Sequence, residues 1–147
     1  RKTAIFDRGS AYADVTGTGN GGDINITTES LDVKNRANIF SKTSGNGNAG
    51  NINITTNSLT VTDESFLASS ANGQGDAGNI AIKASDRVLF DRAGQVYADV
   101  TGTGNGGDIN ITMESDKSHP TFGPHLLQLD LAAFLLGDYS GSTCRIN

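Results

Sequence analysis

Five residues, Gly22-Asp23-Ile24-Asn25-Ile26, come back three times in this chain. They return as Gly50-Asn51-Ile52-Asn53-Ile54, as Gly78-Asn79-Ile80-Ala81-Ile82 and as Gly107-Asp108-Ile109-Asn110-Ile111. The leading isoleucines stand at 24, 52, 80 and 109, so the spacing is 28, 28 and 29 residues. A fixed period in this range marks stacked repeat units, each too small to bury a hydrophobic face alone. The period divides the chain into a repeat segment, 1–115, and a non-repeat tail, 116–147. Units 22–49, 50–77 and 78–106 are whole, with partial units at both ends. Residues 12–27 and 97–112 are the same sixteen letters, YADVTGTGNGGDINIT, which points to a recent duplication within a longer array.

Each unit contains three short runs in which apolar and polar residues alternate. The first carries the paired isoleucines: Ile24 and Ile26, Ile52 and Ile54, Ile80 and Ile82, Ile109 and Ile111. The second carries Leu31 and Val33, Leu59 and Val61, Val88 and Phe90; the third carries Ile39 and Ser41, Leu67 and Ser69, Val96 and Ala98. A period of two predicts strands with one face inward. Asn35-Arg36, Asp63-Glu64 and Asp91-Arg92 supply turns between the second and third runs, and a longer Gly-rich loop follows the third. The extra residue of unit three falls near Ser85-Asp86-Arg87.

Hairpins of an antiparallel sandwich would also use Asn-Gly turns. Here, however, Asn46-Gly47, Asn72-Gly73 and Asn105-Gly106 occur once per unit, inside the longest loop. Stacking at one period sets Ile over Ile and Leu over Leu in every inward column. The expected fold is therefore all-β: a single-stranded parallel β-helix, right-handed, with about 28 residues and three strands per coil. Neighbouring coils would lie about 4.8 Å apart. The isoleucine columns form its core ladder. Gly22, Gly50, Gly78 and Gly107 form a corner column, as a tight turn at positive φ would require. The next column, Asp23, Asn51, Asn79 and Asp108, can bond the turn backbone and its copy in the neighbouring coil.

Composition narrows the function classes. A net charge of −5 argues against a nucleic-acid partner, which needs a basic stripe. A single cysteine, Cys144, makes no internal disulfide framework. The chain begins at Arg1 with no apolar signal segment, and reads as a piece of something longer. No apolar run reaches the ~18–20 residues of a membrane span. The tail departs from the repeat, holding both prolines, both histidines and the cysteine. Leu126–Leu136 reads as a short apolar helix ending at Gly137. The tail is either a terminal cap or sequence foreign to the array; the abrupt change after Ser115 favours the second.

The stretches GNGGDINITTESLDV and ANIFSKTSGNGNAGNINITTNSLTVTDESFLASSANGQGDAGNI resemble the repeat region of filamentous-haemagglutinin-type exoproteins, the passengers of two-partner secretion. The similarity covers about residues 5–115. It implies a right-handed parallel β-helix, export by an outer-membrane transporter to the medium or cell surface, and a role in attachment or as a stalk. The family's N-terminal secretion domain has no counterpart in these residues.

No site for chemistry is expected. The Gly-rich turns at Asp23 and Asp108 have the look of a calcium-binding β-roll, but that motif repeats every nine residues and the middle units carry Asn51 and Asn79. Only weak Ca²⁺ binding at those two turns stays open. Gly17–Gly22 lacks the Lys-Ser/Thr and the helix of a phosphate loop. Asp63, Glu64, Asp86 and Asp91 are turn acids, and Asp14 and Asp99 are copies of one position, whereas a glycosidase needs one paired set. His119, His125 and Cys144 lack metal-ligand spacing. The Asn-Ile-Thr triplets at Asn25, Asn53 and Asn110 match a glycosylation signal by composition only. The expectation is a structural, non-enzymatic segment with no cofactor. Its expected partners are a host or neighbouring-cell surface or glycans, the transporter of the parent protein, and other copies end to end. A carbohydrate-binding surface using Tyr12, Tyr97 and the polar Asn/Thr face is the alternative; a polysaccharide-degrading enzyme is the third.

Overall fold

The computed structural model describes residues 2–113, Leu126–Leu129 and Thr143–Ile146. The first coil opens with β1 (Thr3–Asp7) and β2 (Ser10–Val15). Unit one supplies β3 (Ile24–Thr27), β4 (Ser30–Lys34) and β5 (Asn38–Thr43); unit two supplies β6 (Ile52–Val61) and β7 (Phe66–Ala71). Unit three supplies β8 (Ile80–Phe90) and β9 (Gln95–Val100), followed by β10 (Asp108–Met113), β11 (Leu126–Leu129) and β12 (Thr143–Ile146). All pairings are parallel and fall into two sheets. One has eight strands along the path β1-β4-β6-β8-β10-β12, with β3 beside β6 and β11 beside β8; the other has four, in the order β2-β5-β7-β9. The fold is a parallel β-helix of stacked coils.

Register is like upon like. Ile24 pairs with Ile52, Ile52 with Ile80, and Ile80 with Ile109. Leu31 lies over Leu59 and Leu59 over Val88; Ile39 lies over Leu67 and Leu67 over Val96. Alternate residues of each strand close one continuous core, in which Ile52, Ile80, Ile82, Ile109, Ile111 and Phe90 are wholly buried. Ile24 and Ile26 belong to the first coil and are only partly covered.

Four details differ from the sequence expectation. The first concerns the strands. Unit one has three, but in units two and three the first two runs join into the single strands β6 and β8. The corner between these runs is a bulge that bends the strand without ending the ladder, with the register shifting between Thr56 and Ser58. The amides of Asn57 and Ser58 both donate to the Glu29 carbonyl (3.1 and 3.2 Å), as those of Glu29 and Ser30 both donate to the Lys2 carbonyl (3.1 and 3.1 Å). The Thr56 hydroxyl closes the bend by donating to the Ser58 carbonyl at 3.0 Å.

The second difference is the reason for the corner glycines. None of Gly22, Gly50, Gly78 and Gly107 has a positive φ. What they avoid is a collision between coils. A Cβ on Gly50 would run into the Gly22 carbonyl, one on Gly78 into that of Gly50, and one on Gly107 into that of Gly78. Gly22 itself would meet only the Ala13 methyl at 3.8 Å. The Gly-rich loop stacks the same way, Gly45 on Gly17, Gly73 on Gly45 and Gly102 on Gly73, so it is a fourth laddered side of the coil.

Third, left-handed backbone appears in the turn before the third run, on residues that carry side chains: Asn35 and Arg36, Asp63 and Glu64, Arg92 and Ala93. In unit three the pair is thus Arg92 and Ala93, not Asp91 and Arg92. The extra residue enters upstream, between the pairings Thr56 with Ala84 and Ser58 with Arg87, and shifts the turn by one.

Fourth, the helix expected over Leu126–Leu136 is not formed where the chain is described. Leu126–Leu129 is strand β11, paired with Arg87–Phe90 of β8, and residues 130–136 lie outside the described part. The unpaired edge of β8 offers backbone partners that outcompete a short isolated helix. Strand β12 pairs in turn with β10, so the tail contributes to the next layers of the stack.

Candidate functional site

Several columns of polar side chains bond from one coil to the next. The amide of Asn51 donates to Asp23 Oδ1 (2.7 Å), that of Asn79 to Asn51 Oδ1 (2.8 Å), and that of Asp108 to Asn79 Oδ1 (2.8 Å). Here each side chain satisfies an orphan backbone donor of the next coil. A second Asx column does the same beside the Gly-rich loop. Asn48 N donates to Asn20 Oδ1, Asp76 N to Asn48 Oδ1, and Asn105 N to Asp76 Oδ1, at 2.9, 2.8 and 2.7 Å. Sequence reading missed this column, although its Asx identity recurs in all four copies. On the outer face of the first run, Asn53 Nδ2 donates to Asn25 Oδ1 at 2.9 Å.

The corner glycines and the inward serines form one device. Ser41 and Ser69 are wholly buried. Ser69 Oγ donates to the Gly50 carbonyl (3.1 Å) and accepts from the Gly78 amide (2.8 Å), so it bridges two successive corners. Ser41 Oγ does the same between the Gly22 carbonyl (3.3 Å) and the Gly50 amide (2.8 Å). From unit two onward the predicted core and corner residues are thus brought together in the interior, where they hold the stack, whereas Gly22 is exposed and Ile24 and Ile26 are partly covered.

The acids considered for catalysis are dispersed along the coil and engaged singly. Glu64 pairs with Arg36 (2.7 Å) and Asp63 with Arg92 (3.3 Å). Asp86 accepts from Ser58 Oγ (3.2 Å), and Asp91 from the Arg92 amide (2.8 Å). A groove of about 480 Å³ follows this turn column, lined by Arg8, Asn35, Arg36, Asp63, Glu64 and Arg92. Its charges are largely matched among themselves. Among the described residues no three His, Cys, Asp or Glu side chains converge as a metal site would require. His119 and His125 lie outside the described residues, and Cys144 is described only as part of β12.

The four-stranded sheet presents a different surface. Its inward positions are buried from β5 on and half-buried in β2, so Ser10, Tyr12 and Asp14 of β2 face out, as do Asn38, Phe40 and Lys42 of β5. Below them follow Phe66, Ala68 and Ser70 of β7, then Gln95, Tyr97 and Asp99 of β9. Four aromatic rings meet here. Tyr12 and Phe40 are edge to face with centroids 4.4 Å apart; Phe40 and Phe66 are 5.9 Å apart, Phe66 and Tyr97 5.4 Å. Ala68 takes the place of a ring in the central column and lies beneath its neighbours, only 1% exposed. Tyr12 is 57% exposed at the open end of the cluster. Burial, and then the Asp99 carboxylate, hold the Tyr97 phenol above its usual pKa. Sequence reading picked out Tyr12 and Tyr97 but not Phe40 and Phe66. Phe40 lies one unit from Tyr12, while Phe66 reaches the cluster diagonally from another column.

No family model, curated protein or solved structure matches the chain.

Proposed function

We propose that this chain is a structural segment of a secreted or cell-surface bacterial adhesin of the filamentous-haemagglutinin kind, a stiff stalk without catalysis of its own. The observation that carries this reading is where the polar side chains go. The Asx columns, the Asn25–Asn53 pair and the Arg36–Glu64 pair all bridge residues 28 or 29 apart, one coil to the next. Side chains arranged that way stiffen a rod and set a constant rise, which is what a spacer between a cell surface and a distant contact needs. On this reading the parent protein leaves the cell through an outer-membrane transporter, its coils continue those described, and its contacts are surfaces or glycans of other cells.

The test is location. Antibody raised against the segment is expected to label intact expressing cells, or to detect the parent protein in the medium, with the signal lost when the neighbouring transporter gene is deleted. Labelling that appears only after lysis, or export that survives loss of the transporter, overturns the proposal.

A further inference from the structure

We infer that Asn72 is a site of self-modification, where the chain converts its own side-chain amide to isoaspartate with release of ammonia. An asparagine followed by glycine is set up for this reaction. The glycine amide nitrogen is held next to the side-chain carbon, and the missing Cβ lets it approach. The nitrogen forms a bond to Cγ, the Cγ–Nδ2 bond breaks, and the amide proton leaves with the ammonia. Water then opens the cyclic imide at either carbonyl. One opening leaves aspartate on an ordinary backbone; the other carries the main chain through the side chain as isoaspartate.

The chain has four such pairs, at Asn20, Asn46, Asn72 and Asn105. Two conditions rank them: an amide nitrogen free to attack, and a donor on the side-chain carbonyl oxygen that draws electrons from Cγ. At Asn20 the nucleophile is engaged, since the Gly21 amide donates to the Asn48 carbonyl at 2.7 Å. Asn46 and Asn105 have no donor to their side-chain oxygens among the described residues, and Gly47 is buried. Asn105 is also held by its backbone, its amide donating to Asp76 Oδ1 (2.7 Å) and its carbonyl accepting from the Ala77 amide (2.9 Å). Asn72 meets both conditions. The Thr101 hydroxyl donates to Asn72 Oδ1 at 3.1 Å, and the Gly73 amide donates to no acceptor among the described residues. Asn72 is exposed, so water reaches the imide. The neighbouring coils hold Thr16, Ser44 and Thr101 at this register, so one reactive amide interrupts a column of hydroxyls. The loop has no slack to absorb the product. A Cβ on Gly73 would collide with the Gly45 carbonyl, and one on Gly102 with that of Gly73. Isoaspartate adds a backbone carbon to this layer and loosens the glycine ladder on both sides.

The inference is independent of the stalk reading, because it concerns the chemistry of the purified chain wherever the parent protein resides. The experiment is incubation of the full chain in warm, mildly alkaline buffer, with each pair followed over time by peptide mapping and mass spectrometry. Electron-transfer fragments tell isoaspartate from aspartate. In the folded protein the gain of one mass unit is expected first at Asn72, about threefold or more faster than at the other three pairs, whereas in guanidinium chloride the four rates converge. Thr101→Val should slow Asn72 about threefold to tenfold without changing Asn46, and Thr101→Ser should restore the rate. Asn72→Thr, which supplies the hydroxyl of the neighbouring coils, should keep the thermal midpoint of fresh protein and abolish its slow fall on incubation. Three results overturn the inference: equal rates at the four pairs in the folded protein, reaction at Asn20, Asn46 or Asn105 ahead of Asn72, or an Asn72 rate that Thr101→Val leaves unchanged.

Discussion

At the scale of single residues, glycine and serine have jobs that their chemistry alone does not announce. Gly78 is needed because a methyl there would collide with the Gly50 carbonyl, while Gly22, whose nearest neighbour would be 3.8 Å away, is under no such constraint. Gly78→Ala should therefore cost about 3 kcal/mol or more, and Gly22→Ala no more than about 0.5 kcal/mol, in urea unfolding followed by circular dichroism. Equal effects at the two positions would contradict the collision account. Ser69→Ala strands both the Gly78 amide and the Gly50 carbonyl in the interior. It should cost about 1–3 kcal/mol in the same assay, although unit three carries Ala98 at the equivalent place. The glycine column was visible in the sequence, but its cause was not. A repeat shows that a position admits only glycine, without saying whether torsion or distance forbids the rest. The bridging serines were visible as an inward column only. Their partners lie 19 residues back and 9 residues on, across the hollow of the coil, and no local pattern links them.

At the scale of elements, the strands were the most legible part, because period two and period 28 reinforce each other at Ile24, Ile52, Ile80 and Ile109. Their ends were less legible. Whether a corner breaks a strand or bulges it depends on two amides sharing one carbonyl, as at Glu29, and that depends on the neighbouring coil. The apolar run at Leu126 was misread for a related reason. Four to eight apolar residues fit helix or strand equally until a partner edge is known, and here β8 supplies one. The turn before the third run holds left-handed residues with side chains, which L-amino acids resist by roughly 1–2 kcal/mol each. Ala93 is the clean test, with φ at 62° and an exposed position. Ala93→Gly should stabilise the protein by about 0.5–1 kcal/mol after glycine's own entropy loss is subtracted. A destabilised variant would show that the turn carries no strain. The aromatic cluster was half legible: Tyr12 and Tyr97 stood out as copies of one position, but Phe40 between them did not, and the diagonal reach of Phe66 depends on the neighbouring coils.

At the scale of the whole molecule, stability is a sum over coils and their interfaces. Inserting a second copy of residues 50–77 after Ala77 should lengthen the particle by about 4.8 Å at constant cross-section, as read by small-angle scattering. The same insertion should raise the thermal midpoint, because one more interface is added. An unchanged midpoint would mean that the ends, not the interfaces, limit stability. The like-on-like register has a further consequence for how such a chain changes over generations. The identical stretches beginning at Tyr12 and Tyr97 lie 85 residues apart, three whole units. Recombination between them would excise or add three coils, and each surviving strand would still meet a partner of its own kind. Length can then vary by copying errors alone, without any new solution to the folding problem. The length of such a stack would be a heritable quantity adjusted in steps of whole coils.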